Sequence, residues 1–188
     1  MITVESIARQ VVEACEAEDV PHMVTGAFAF NYYGIPRSTK DVDLVVDVTG
    51  SKKIEAILGR LEPHIDFGAQ VQFDTLTWGR RHIGQPKGHT QLQVELFELF
   101  DDPFVQAQFQ RRRRLFCDQL DLHTWLPTAE DLIVQKLRWG HSKDLDDVRE
   151  VLAVQGPETL DMSYIERWCA THGTSQRLKD ILESLPPL

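Results

Sequence analysis

The chain has 188 residues, a formal net charge of −9 and 42% hydrophobic residues, enough for one domain with a core of its own. So acidic a protein does not draw nucleic acid in by its overall field, and a polyanionic partner must be met by a local basic patch. No stretch is long and apolar enough to span a membrane, and the opening MITVESIARQVVEAC carries Glu5 and Glu13 where a signal peptide would be apolar. Cys15, Cys117 and Cys169 are odd in number and lack the close spacing of a zinc or redox motif. They read as reduced thiols, which sets the expected location as cytoplasmic.

Residues 2–18 place Ile7, Val11, Val12 and Cys15 at helical spacing. His22 to Thr25 reads as a brief buried strand, followed by a turn at Gly26-Ala27 and a short helix from Phe28 to Tyr33. Asp41 to Val48 is the clearest strand: Val42, Leu44 and Val46 share one face, and Asp41, Asp43, Val45 and Asp47 the other. Ile54, Ile57, Leu58 and Leu61 mark a helix ended by Pro63. Residues 64–91 show little periodicity, with strands expected near 71–73 and 76–78. Leu92 to Phe97 and Leu120 to Trp125 read as further strands. Thr128, followed by Glu130 and Asp131, is a helix start, and helices are expected at about 129–139, 143–154, 162–172 and 175–185. Strands early and helices late imply an α/β (α+β) fold, with a core over 1–126 and a helical part over 127–188 packed on it.

Asp41 and Asp43, two apart on a strand, present their carboxylates on the same face. Such a pair repels unless a positive charge intervenes, and a divalent cation such as Mg²⁺ supplies it while leaving positions for phosphate oxygens. The bland alternative is an exposed face with solvated acids. Strand parity selects Glu95 over Glu98 as a third acid, because Glu98 shares the side of Val94 and Leu96. Three carboxylates on neighbouring strands could hold two cations; alone, Glu95 could equally be a cross-strand partner of a basic residue.

Gly26 to Asp47 reads GAFAFNYYGIPRSTKDVDLVVD. It resembles the nucleotidyltransferase superfamily, most closely the small AbiEii-like bacterial enzymes, through Gly26, Ala29, Tyr33-Gly34, Pro36-Arg37, Thr39, Asp41 and Asp43. The VELF segment with Glu95, and PTAEDLIVQKLRWGHSKDLDDV with Glu130, Asp131, Lys136, Asp144 and Asp147, extend the likeness. The resemblance implies a mixed sheet flanked by helices and transfer of a nucleoside monophosphate from an NTP to a protein or RNA hydroxyl. It implies Asp41, Asp43 and Glu95 as catalytic, Mg²⁺- or Mn²⁺-binding acids. Gly26, Ala27, Arg37, Thr39 and Lys136 are the corresponding phosphate-binding candidates. Lys136 sits in the apolar stripe of Leu132, Ile133 and Leu137, and takes either a nucleotide phosphate or an internal ion pair with Asp144 or Asp147.

Ala27 stands where many active relatives carry Ser or Gly, and Glu95 where Asp is common. These departures keep a second reading open: a catalytically retired binding or regulatory module, possessing the fold but not the turnover. Some relatives are toxin–antitoxin or phage-defence components, so a partner protein enters the expectations. Arg111, Arg112, Arg113 and Arg114 form the strongest basic run and are the candidate RNA contact; Arg80, Arg81 and Lys87 are candidates to line the cleft.

Overall fold

The computed structural model describes residues 2–48, 53–68, 72–73 and 79–185. The chain divides into two compact units: residues 1–28 with 38–127, and residues 29–37 with 128–188.

In the first unit, helix α1 (Val4–Ala17) starts at a capping box in which Thr3 and Ser6 satisfy each other's backbone N–H groups. Its stripe of Ile7, Ala8, Val11, Val12 and Cys15 is buried, and it packs on strands β1 (His22–Val24) and β2 (Asp41–Val46) and on α3 (Lys53–Leu61). The remaining strands of the sheet are β3 (Ile65–Phe67), β4 (Gln72–Phe73), β5 (Arg80–Pro86) and β6 (Gln93–Glu98). The sheet runs β1-β2-β6-β5-β3, with β4 also on β5; β2 and β6 are parallel and the other pairs antiparallel. This is a mixed sheet flanked by helices, as expected.

The alternation in β2 is realised: Val42, Leu44 and Val46 are buried while Asp41 is exposed and Asp43 half-buried. Val94 and Leu96 of β6 lie beside them and are fully buried, so these two central strands supply one continuous apolar surface to the core. Four elements of this unit escape the sequence reading: β3, β5, and the helix and strand that follow β6. Helix α4 (Pro103–Arg111) is capped by Asp102, whose Oδ1 accepts the N–H groups of Phe104 and Val105, with Pro103 at its first position. Strand β7 (Arg113–Cys117) follows and pairs antiparallel with β8 (Leu122–Leu126) as a separate two-stranded sheet. The expected strand near 76–78 lies outside the described residues.

In the second unit, α5 (Ala129–Trp139) starts where expected, with Thr128 Oγ1 accepting the Asp131 N–H, and ends at Gly140 in the left-handed conformation, φ +66°. Helices α6 (Ser142–Gln155), α7 (Met162–His172) and α8 (Ser175–Ser184) follow within two residues of their expected bounds. Asp131 is fully buried and holds α7 to α5: its Oδ1 accepts from Tyr164 at 2.5 Å, and its Oδ2 from Thr128 at 2.9 Å. A carboxylate so deep in the helical core is tolerable because its lone pairs are met. Helix α2 (Gly26–Tyr33) contains the boundary between the units.

Candidate active site

The register of β2, β6 and β5 builds one polar face. Asp41 lies opposite Gln93 and Asp43 opposite Glu95 in the parallel pair, while Arg81 lies opposite Phe97 and Ile83 opposite Glu95 in the antiparallel one. Parity therefore puts Asp41, Asp43, Gln93, Glu95 and Arg81 on the same side, away from Val42, Leu44, Val94 and Leu96. Adjacent strands are about 4.8 Å apart, so the Asp43 and Glu95 side chains are close neighbours. The three acids singled out from the sequence are thus on one face of two adjoining strands.

Gly26 closes the side of this face that adjoins β1. The Thr25 N–H donates to the Asp43 carbonyl at 2.9 Å, fastening the end of β1 to β2. Gly26 then turns with φ +58° and opens α2, so the expected turn is the helix N-terminus itself. A Cβ at Gly26 would overlap Asp43 Oδ2 and come within 2.7 Å of its Cγ. The Asp43 carboxylate occupies the space that only glycine leaves, and the turn requires the φ that glycine adopts most easily. Thr39 works on the other end of the strand. Its hydroxyl accepts the Asp41 N–H at 3.1 Å and donates to the Asp41 carbonyl at 3.3 Å. Its contacts thus set the start of β2 rather than reach outward.

Glu95 is engaged on both oxygens. Gln93 Nε2 donates to Oε1 at 2.5 Å and Arg81 Nη1 to Oε2 at 3.1 Å. Arg81 also donates through Nη2 to Gln72 at 3.3 Å. Glu98, assigned to the opposite side, is held there by His82 at 2.8 Å and Arg80 at 3.5 Å. Among the described residues no group of three or more Asp, Glu, His or Cys side chains is arranged to hold a metal ion. With both Glu95 oxygens taken, the acids in this arrangement do not fit a three-carboxylate cation site.

Two of the phosphate candidates belong to the second unit. Lys136 Nζ lies 2.9 Å from Asp144 Oδ1 and 2.8 Å from Asp147 Oδ2, and Arg37 lies 2.6 Å from Asp147 Oδ1. The internal ion pair left open for Lys136 is therefore present, and it takes both candidate aspartates. Arg37 also stacks over the Phe30 ring at 4.3 Å, and Asn31 clasps its backbone N–H and carbonyl. Two cations against two carboxylates balance the charge of this cluster, in which Lys136, Asp144 and Asp147 are all buried.

The basic run does not form one patch. Arg111 ends α4, Arg113 and Arg114 alternate along β7, and Arg112 turns inward over the Phe109 and Trp125 rings and donates to the His22 carbonyl at 3.1 Å. Arg114 lies 3.8 Å from Glu16. No helix among the described residues is long and apolar enough to cross a membrane.

An Asp-x-Asp strand beside a parallel strand bearing a third acid, with a glycine turn opening a helix against it, defines the nucleotidyltransferase class. The chain belongs to the family described as nucleotidyltransferase of unknown function (DUF6036), which matches residues 2–182. Solved structures agree on the fold. The antibiotic-resistance factor ANT(2'')-Ia in solution superposes with a TM-score of 0.60 at 11% identity, covering 95% of this chain and 96% of that one. Its crystal structure with adenylyl-2''-tobramycin gives 0.60 at 10% identity, covering 93% and 99%. An antigenic nucleotidyltransferase-like protein from Paracoccidioides brasiliensis gives 0.54 at 18% identity, covering 98% and 94%. No curated protein matches the sequence significantly.

Proposed function

We propose that the protein transfers a nucleoside monophosphate from an NTP to a hydroxyl of a protein or RNA acceptor. The observation that carries this reading is the shared face of Asp41, Asp43 and Glu95, with the Asp43 carboxylate seated in the space that Gly26 leaves. The acceptor oxygen attacks the α-phosphorus, the bond to the bridging oxygen breaks and pyrophosphate leaves. The hydroxyl proton passes to Glu95, the acid best placed as general base once its guanidinium partner is displaced. The backbone N–H groups opening α2 at Gly26 and Ala27 are the donors for a phosphate oxygen.

The reading includes dependence on Mg²⁺ or Mn²⁺, with Asp41 and Asp43 as the ligands; removal of divalent cations by EDTA tests this directly. The AbiEii-like order of motifs supports a place in a toxin–antitoxin or phage-defence pair, which predicts growth arrest on expression, relieved by Asp43→Ala. The experiment for the transfer itself is incubation with each labelled NTP and a protein or RNA acceptor. Label transfer lost in Asp41→Ala and Asp43→Ala supports it.

A second reading, a nucleotide-holding module without turnover, is favoured by two observations: Ala27 brings no hydroxyl to the turn, and both Glu95 oxygens are already engaged. Triphosphate binding without transfer to any acceptor distinguishes it.

A further inference from the structure

Arg81 is the one cation in the β2, β6 and β5 registers of the acidic face. Its side chain is 27% exposed, so it borders solvent rather than being entombed. Its donors are not all used: Nη1 binds Glu95 and Nη2 binds Gln72, while the buried Nε has no hydrogen-bond partner. A guanidinium presents a planar fork suited to paired oxygens, and an unused donor on that fork is a vacancy for an acceptor. The Gln72 bond, at 3.3 Å to a neutral amide, is easily exchanged.

On the proposed reading of this face as a nucleotide site, we infer that Arg81 is a binding residue for the triphosphate tail, held on Glu95 until the tail arrives. The triphosphate is the stronger acceptor, with several anionic oxygens against one carboxylate. Moving the fork from Glu95 to phosphate would satisfy Nε and release Glu95 to take the acceptor's proton. Ground-state pairing and catalytic release would then be two positions of one side chain. This explains why the third acid can be neutralised in the free protein without being retired.

The test uses inorganic tripolyphosphate with the full chain and saturating Mg²⁺, so that base recognition does not enter and Asp41 and Asp43 carry the cation that the proposed reading gives them. Titration calorimetry is run on the wild type, Arg81→Ala, Arg81→Lys, Glu95→Gln and the Arg81→Ala/Glu95→Gln double variant. The inference expects Arg81→Ala to bind about tenfold or more weakly, the loss typical of a charge-assisted hydrogen bond. Arg81→Lys should be intermediate, and it serves as the folded comparison if the alanine variant is unstable. Glu95→Gln should bind more tightly, because the competitor for the fork is gone. That gain should shrink in the Arg81→Ala background, whereas simple relief of repulsion would persist there undiminished. A wild type that binds while both Arg81 variants match it overturns the Arg81 assignment alone. Equal gains from Glu95→Gln in both backgrounds overturn the exchange. A wild type that binds neither tripolyphosphate nor any NTP overturns the assignment together with the nucleotide reading.

Discussion

At Gly26 one methyl group is the difference between a seated and a displaced carboxylate. The position has φ +58°, and an added Cβ would fall on the Asp43 side chain. Gly26→Ala therefore carries two costs: about 1–2 kcal/mol for an L-residue in the left-handed region, and whatever moving Asp43 requires. The expected outcome is a lower urea midpoint and, separately, loss of nucleotide binding beyond what the stability change explains. Ala27→Ser is the informative opposite, restoring a hydroxyl at the turn; faster transfer with an unchanged midpoint is expected. Lys136 poses a different question. With Asp144 and Asp147 buried beside it, Lys136→Met leaves two carboxylates to share Arg37, and breaking a buried pair in this way costs about 3–5 kcal/mol. Denaturant unfolding should show that loss. An unchanged midpoint with weakened nucleotide binding would instead return Lys136 to a phosphate role.

At the scale of elements, legibility followed periodicity. Strand β2 was readable because acidic and apolar residues alternate from Asp41 to Leu44, and β6 because Val94 and Leu96 flank Glu95. Parity alone then put Glu95 with Asp43 and sent Glu98 to the other side, where His82 and Arg80 hold it. Strand β5 was hidden: it contains Arg80, Arg81, Gly84 and Pro86, and its identity comes from partners distant in sequence. Missing β5 left Arg81 among the cleft candidates without a partner. Helix α4 had a readable start, Asp102-Pro103, but its buried face includes Gln108 beside Phe104, Val105 and Phe109, which blurs the apolar stripe. Asp102→Ala removes the acceptor for two N–H groups and should cost about 0.5–2 kcal/mol, measurable as a shift in the urea midpoint. Helix α5 was legible because its cap, Thr128, stands just before a periodic segment with acids in the first turn. Arg37 and Lys136 could not be placed from sequence, since either phosphate or buried carboxylate satisfies the same cation.

For the whole molecule, two buried groups bound the pH range of stability. Burial pushes the Cys15 thiol up from 9.0 to about 12, with Glu16 adding to the shift. Below pH 9.0 the folded and unfolded chains both keep this proton. Between 9.0 and about 12 only the unfolded chain loses it, so stability falls as pH rises through that window. Cys15 should also resist alkylation until the protein unfolds. Burial lowers His22 from 6.5, so below that pH the unfolded chain gains a proton first and stability falls as pH drops. Urea midpoints across pH should thus form a plateau with declines on both sides.

Transfer of α-labelled phosphate from each NTP, with Mn²⁺ or Mg²⁺ present, tests whether Asp41, Asp43 and Glu95 form one NTP site. The wild type should label a protein or RNA acceptor, and Asp43→Ala of equal stability should label none. Label transfer that survives Asp43→Ala would contradict that assignment.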